Sequence, residues 1–354
     1  MEETRLKIGF YNPYFDVPSG GERYTLTLAE HWSKRHNVSL FWDDPNVMGI
    51  SEKRFGLDLS RVSVVPNVFK NANIFGKLWE TKKYDVIFFL SDGSIPTTLA
   101  RHNILHFQVP FPEVLTDPLK MKKYDVIVTN SQFTKRELDP GVGERAVVIY
   151  PPVQAVAQSP KLKKKKQILS VGRFTSYFDA KKQDTLISAF TKGHEYHAFP
   201  SWELVLAGPL ISSDEEYFAR LQKRIGTLPI RLLPNITNAE LTKLYRESSF
   251  YWHAAGFGET DPRHMEHFGI TTVEAMSAGT VPLVYAAGGQ LEIVTDSVNG
   301  MLWKTESELI QKTSALISDG QAYRMIAKAA QVRSEDFSED RFTRAYDALI
   351  AGWR

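Results

Sequence analysis

The chain has 354 residues, 43% hydrophobic and 24% charged, enough for two domains of about 150 residues, each with its own core. Lysine and arginine total 43 against 41 acidic residues, leaving a formal charge of +2, so no bulk field recruits nucleic acid. The absence of cysteine excludes thiol catalysis, cysteine-ligated zinc and disulfide scaffolds. The opening MEETRLKIGF carries acids where a secretory leader needs basic residues. The longest uncharged stretch, 275–291, is broken by Gly, Pro and Ser. Neither reads as a leader or a spanning helix, and the expectation is a soluble, cytoplasmic protein that at most touches a membrane peripherally.

In chain order, short apolar runs at 7–11, 38–42, 84–90, 103–109, 124–129 and 146–150 read as strands, with helix-like segments at 21–36 and 131–138 between them. PPVQAVAQSP and KLKKKK follow, a Pro-bearing and then charge-rich stretch that reads as a linker over 154–166. The pattern restarts with strands at 167–171, 202–207, 230–233, 250–253 and 281–285. Helices are expected at 182–191, 214–225, 238–247 and 270–278, and repeatedly from residue 306. Apolar strands alternating with amphipathic helices imply an α/β fold built on parallel sheets. Occurring twice, the pattern predicts two Rossmann-like domains, 1–153 and 167–336, facing a cleft. Ligands of such sheets lie where strand ends meet helix starts.

Three constellations occupy those places. Ser19-Gly20-Gly21-Glu22 follows the first strand and opens a helix; its glycines would admit close backbone approach, or simply make a tight turn. Val171-Gly172-Arg173 ends the first strand of the second half, with Lys181-Lys182 eight residues on. Forked guanidinium donors with an ammonium charge suit a diphosphate, although surface cations are common. The third is EHFGITTVE, Glu266 to Glu274. Gly269 precedes a helix whose first turn carries Thr271 and Thr272, presenting backbone donors and a positive dipole to phosphate. Glu266 before that turn and Glu274 within the helix, both acceptor-only when ionised, suit two sets of sugar hydroxyls.

EHFGITTVEAMSAG resembles the E-x7-E signature of the GT4 family of retaining, GT-B-fold glycosyltransferases. SGGERYTLTLA is similar to the family's GG-x-E loop, TNSQFTKRE to its N-S-x-x-T segment, and VGR…KKQDTLISAF to its donor-binding Arg…Lys element. EHFGITTVEAMSAG with LHFQVPF is also similar to the dolichol-pathway α-1,2-mannosyltransferases. The resemblance implies that Glu274 takes the ribose hydroxyls of a nucleotide-sugar and Glu266 a hydroxyl of the transferred sugar. Arg173 and Lys181 would neutralise the leaving diphosphate, Lys181 being favoured over Lys182 by register with Asp184. Phe268, Gly269, Ile270 and Thr271 would donate to phosphate and sugar, Gly20 and Gly21 would close the site, and Asn235 and Ile236 would contact the base. His106 matches a cleft histidine that holds sugar or acceptor, although a lone strand-end histidine is equally a core residue.

Further expectations attach to the resemblance. The donor is a nucleotide-sugar, with GDP-mannose the first choice and UDP-sugars the alternative. The acceptor is a glycan, a lipid-linked sugar or a small molecule, and nucleic acid is not a partner. No cofactor or metal is expected: there is no D-x-D, and His253, His264, Glu266 and His267 lack the H-E-x-x-H spacing of a zinc site. GFGETDPRHM before Glu266 reads as a donor-ordered flap or a surface loop. Residues 161–166 read as a solvated linker or a contact to anionic membrane. The amphipathic segment 337–354 is expected to cross back to the first domain. A silent nucleotide-sugar binder and a GT-B-fold epimerase are the competing functions; the epimerase would leave the nucleotide attached.

Overall fold

Runs of consecutive apolar residues become the central strands of two parallel sheets. The structure is a computed structural model that describes residues 5–16, 20–114, 118–156, 163–177 and 181–353. The chain divides into two units, Met1–Pro152 with Glu339–Arg354, and Val153–Ser338.

The first unit holds β1 (Lys7–Tyr11), β2 (Asn37–Phe41), β3 (Val62–Val65), β4 (Val86–Leu90), β5 (His102–Phe107), β6 (Val126–Thr129) and β7 (Ala146–Val148). They lie in the order β3-β2-β1-β4-β5-β6-β7, each neighbour parallel. All five positions of β4 are buried, as a strand covered on both faces requires. The pleat sends Phe88 to one side with Phe10, Tyr24 and Trp32, and Ile87 and Phe89 to the other with Phe41, Leu105 and Phe107. The strand β3, which the sequence pattern does not reveal, is a four-residue edge strand.

The last helix, Glu339–Ile350, belongs to this unit. Phe342, Tyr346 and Ile350 fall at i, i+4 and i+8, one buried stripe on the core beside helix Gly20–Ser33. The Tyr346 and Tyr24 hydroxyls are 2.8 Å apart. Asp347 accepts from Trp32 Nε1 at 3.1 Å and from Arg35 at 2.6 Å, and His31 Nε2 lies 2.9 Å from it.

The second unit holds β8 (Lys165–Val171), β9 (Glu203–Gly208), β10 (Ile230–Pro234), β11 (Ser248–His253), β12 (Val281–Tyr285) and β13 (Met301–Trp303). Their order is β10-β9-β8-β11-β12-β13, again parallel throughout. Trp252 of β11 is fully buried and donates from Nε1 to Thr313 Oγ1 at 3.1 Å, tying the sheet to helix Glu306–Ser318. A capping box of Thr237 and Glu240 starts helix Asn238–Glu247. The order reverses between β8 and β11, so the connections leaving their carboxyl ends part in opposite directions and frame a crevice where parallel sheets take ligands.

Two boundaries differ from the expectation. Phe337 lies in the second unit, its ring 5.3 Å from Phe268 and its carbonyl accepting from Val153 N at 3.0 Å; the returning helix starts at Glu339. The stretch read as a linker to residue 166 is partly strand, because β8 begins at Lys165. Lys164 Nζ donates to Ala278 O at 2.9 Å, Thr280 Oγ1 at 2.7 Å and Tyr245 O at 3.3 Å, and Lys165 pairs with Glu247 at 2.6 Å. Lys164 and Lys165 are therefore tied to the second unit, while Lys163 and Lys166 are exposed; 157–162 lie outside the described residues. Among the described residues, no helix is long and apolar enough to cross a membrane.

Candidate active site

Both loops that leave the reversal point carry chemistry. After β8 come Gly172 and Arg173, then Lys181 ahead of helix Gln183–Glu195. A Cβ on Gly172 would stand 2.4 Å from Lys181 Cγ, so the bare backbone is what lets Lys181 lie across the strand end. Gln183 Nε2 donates to Arg173 O at 2.8 Å, fixing the loop from the helix side. The Arg173 guanidinium makes no hydrogen bond or ion pair among the described residues and is left to meet an anion.

The loop after β11 brings Glu266 to the same crevice. Its Oε2 accepts from Lys181 Nζ at 2.9 Å and from His253 Nε2 at 2.8 Å. Burial alone would raise the Glu266 pKa; the Lys181 charge and the His253 contacts overturn this and hold it well below the usual carboxylate range. Since an ionised carboxylate only accepts, His253 Nε2 carries the proton of that bond. No sequence motif announces this role for His253: it ends β11, thirteen residues before Glu266, and its one signal is its place at a carboxyl strand end. Among the described residues, no group of three or more His, Asp or Glu is arranged to hold a metal ion.

Helix Ile270–Ser277 starts beside this carboxylate. Gly269 has φ 123°, and a Cβ there would meet Gln290 Nε2 at 2.6 Å, so both conformation and space demand glycine. Gln290 Nε2 donates to Thr272 Oγ1 at 3.0 Å, and Gly289 N to Glu266 O at 2.7 Å, which explains the glycine-glutamine turn after β12. No side chain caps the helix, leaving first-turn N–H groups and a positive dipole for an anion. Tyr251 OH donates to Thr271 Oγ1 at 2.7 Å, and one turn on, Tyr245 OH donates to Glu274 Oε2 at 2.9 Å. Each tyrosine orients a group that keeps further acceptor capacity.

Not every expected contact presents a side chain. Phe268 is buried against Phe337, so only its backbone faces outward chemistry. Asn235, at φ 54°, uses its amide on Leu210, accepting from N at 2.9 Å and donating to O at 3.1 Å. Ile236 packs on the core around Leu169 and Tyr251. The Asn235 amide is therefore committed to the Leu210 backbone. Lys182 pairs with Glu259 of the GFGETDPRHM segment, and Glu259 also faces His264 Nδ1 at 3.4 Å.

In the first unit, helix Gly20–Ser33 begins at the paired glycines, Ser19 lying outside the described residues. A Cβ on Gly21 would meet Gln108 Oε1 at 2.6 Å, and buried Glu22 accepts from Asn12 Nδ2 at 3.2 Å. Gln108, within the LHFQVPF segment, and Asn12, which carries no motif in the sequence, thus sit against the glycine loop. His106 has the surroundings of a core residue, one of its two expected readings. It is fully buried on β5 and stacks on Tyr24 with ring centroids 4.1 Å apart. Neither ring nitrogen has a well-formed hydrogen bond among the described residues. Burial pulls its pKa down to about 3, a weak interaction with the Val128 backbone opposing.

The model of the glycosyl transferases group 1 matches residues 154–333, and that of glycosyltransferase family 4 matches 18–155. Over 239 residues the chain is 29% identical to the human GDP-Man:Man(3)GlcNAc(2)-PP-Dol alpha-1,2-mannosyltransferase, an alignment covering 62% of this chain and 46% of that protein. It is 26% identical over 278 residues to the Schizosaccharomyces pombe alpha-1,3/1,6-mannosyltransferase, covering 69% and 53%. The chain thus spans about half the length of these curated relatives. Among solved structures, the crystal structure of Anabaena HepE in complex with UDP superposes with a TM-score of 0.75 at 20% identity, covering 98% of this chain and all of that one. With two sheets of the GT-B type and a family model over half its length, the chain belongs to the glycosyl transferases group 1, in the GT4 branch of the GT-B glycosyltransferases.

Proposed function

We propose that the protein is a metal-independent, retaining hexosyltransferase that moves mannose from GDP-mannose to a hydroxyl of a glycan or lipid-linked acceptor. The observation that carries the reading is the Glu266 carboxylate held between Lys181 and His253 beside the uncapped helix at Gly269. The helix start, Lys181 and Arg173 supply the positive field for a diphosphate, and Glu274 waits one turn along the same helix as an acceptor for ribose hydroxyls.

In the transfer, the bond from the anomeric carbon to the phosphate oxygen breaks and its electron pair leaves with the diphosphate. The acceptor oxygen bonds to that carbon, and its proton passes to the departing phosphate. The protein's part is positional and electrostatic: Arg173 and Lys181 stabilise charge that develops on the leaving group. Glu266, held ionised and engaged by two donors, is a weak nucleophile suited to gripping a sugar hydroxyl. This favours departure and attack on one face, hence retention.

Mannose and guanine rest on the activities for which the human and fission-yeast relatives are named. The UDP in the Anabaena structure supports a UDP-sugar as the second reading. Calorimetry with GDP-mannose, UDP-glucose and ADP-glucose in the presence of EDTA tests the donor. Selective binding of GDP-mannose, lost on Glu274→Ala, is expected. Selective binding of a UDP-sugar replaces the first donor by the second, and binding that appears only with added metal overturns metal independence. NMR of the product anomer tests retention.

A further inference from the structure

On the first unit, helix Ile74–Thr81 (IFGKLWET) turns its largest side chains outward. Phe75 is 79% exposed and Trp79, one turn later on the same side, 71%; Ile74 beside them is 47% exposed. Two adjacent aromatics left in water on a well-formed helix are the informative kind of exposure. The helix is properly built: Asn73 caps it by accepting from Gly76 N at 2.9 Å, and Thr81 is buried, its Oγ1 accepting from Leu99 N at 3.0 Å.

The charge around the stripe has one sign. Residues 70–83 contain Lys70, Lys77, Lys82 and Lys83 and a single acid, Glu80, which is spent on Lys83 at 2.6 Å. The other carboxylate that Lys70 faces, Asp43, accepts from Asn67 N at 2.9 Å and Asn71 Nδ2 at 2.8 Å. Lys82, about 80° from Ile74 on the helical wheel by the 100° step, rises within the aromatic face itself, where a long stem can cross apolar matter and keep its head in water.

From this we infer that helix Ile74–Thr81 docks the protein on an anionic lipid surface, Phe75 and Trp79 entering the headgroup–acyl boundary, Lys82 meeting lipid phosphates beside them, and Lys70 and Lys77 adding attraction at longer range. Aromatic residues on one helix face with a lysine rising among them and further lysines on the same helix are the composition of an interfacial helix. The size of the patch favours a bilayer over a protein. Two aromatics and an isoleucine offer on the order of 400 Å², or about 800 Å² counted over two partners, short of the roughly 1,000 Å² total of a specific protein interface. A bilayer imposes no such area, since insertion of a few side chains and attraction to anionic headgroups add together. Of the lysines that form the alternative contact in the sequence, Lys164 and Lys165 are drawn into the second unit's own bonds.

The test is flotation of the full chain with phosphatidylcholine vesicles and with mixed phosphatidylcholine–phosphatidylglycerol vesicles, without any sugar donor. The wild type is expected to float with the mixed vesicles and not the neutral ones, less so at high salt. Phe75→Ser/Trp79→Ser should lower partitioning at least about tenfold. Lys77→Glu/Lys82→Glu should lower it further than loss of two attractions at about fivefold each, because repulsion replaces them. An unchanged melting temperature and unchanged nucleotide-sugar heats certify that both variants fold. Equal flotation of wild type and the aromatic variant overturns the proposal. So does a wild type that ignores vesicles but self-associates while the aromatic variant stays monomeric, which would make the stripe a protein interface. Since no donor is present, the result stands whether or not the glycosyl-transfer reading holds.

Discussion

The burial of His106 makes the stability of the first unit depend on pH between about 6.5 and 3. In the folded chain this imidazole is enclosed beside Tyr24 and Phe88, and its pKa falls from 6.5 to about 3 because burial disfavours the cation. The unfolded chain binds the proton near 6.5, so between those values it holds more protons than the folded one. Stability then rises with pH over this window; it is complete above 6.5 and is lost as the solution is acidified. One such group contributes about 1.4 kcal/mol per pH unit well inside the window, or about 2 kcal/mol between pH 7 and pH 5. Hydrogen exchange read by mass spectrometry on the peptides of β4 and β5 measures this unit without assuming that the whole chain unfolds in one step. His106→Asn should lower overall stability but abolish about 2 kcal/mol of the wild-type acid sensitivity, while nucleotide-sugar binding in calorimetry stays unchanged. A variant that keeps the full wild-type dependence refutes the burial argument. Loss of donor binding in a folded variant restores the histidine to the site.

Four further outcomes are expected. Glu274→Ala should weaken nucleotide-sugar binding by about 1–3 kcal/mol, the cost of an unpaired desolvated hydroxyl; wild-type affinity in calorimetry refutes the ribose assignment. Arg173→Ala should depress kcat by more than it raises KM, because the diphosphate gains charge as it leaves; equal effects would mean ground-state binding only. His253→Gln removes one of the contacts that hold the Glu266 pKa down, so the acidic limb of the activity profile should move to higher pH, and an unmoved limb would discharge His253 from that role. Removing Glu339–Arg354 takes Phe342, Tyr346 and Ile350 from the first core, a loss of about 5 kcal/mol or more at about 1.5–3 per side chain; unchanged protection of β1 and β4 would contradict the packing.

The alternation of apolar strands and amphipathic helices made the central strands legible: β4 and β11 have the continuous apolar or aromatic runs that two covered faces demand. The helix at Ile270–Ser277 was equally legible, since Gly269 and the threonines mark its start. The edges were not. Strand β3 is four residues and β13 three, each paired on one side only, so neither needs a long apolar run. Pair identities within the site were hidden as well. The sequence contains two adjacent lysines, and only the fold gives Lys181 to Glu266 and Lys182 to Glu259. Asn235 shows a different limit: an exposed asparagine after a strand invites a ligand role, while its left-handed backbone and two bonds to Leu210 give it a structural one. For His106, sequence position cannot tell which face of β5 a residue meets, and the stack on Tyr24 decides it.

The return of Glu339–Ile350 to the first unit also sets an order of events during synthesis. Tyr24 and Trp32 are translated more than 300 residues before the partner that covers them through the Tyr346 hydroxyl and the Asp347 carboxylate. In the interval the whole of Val153–Ser338 has emerged and can fold as a continuous segment. The unit that begins first is therefore finished last, and until the final helix arrives its aromatic surface needs shelter, from a chaperone's binding or from transient collapse of its own chain.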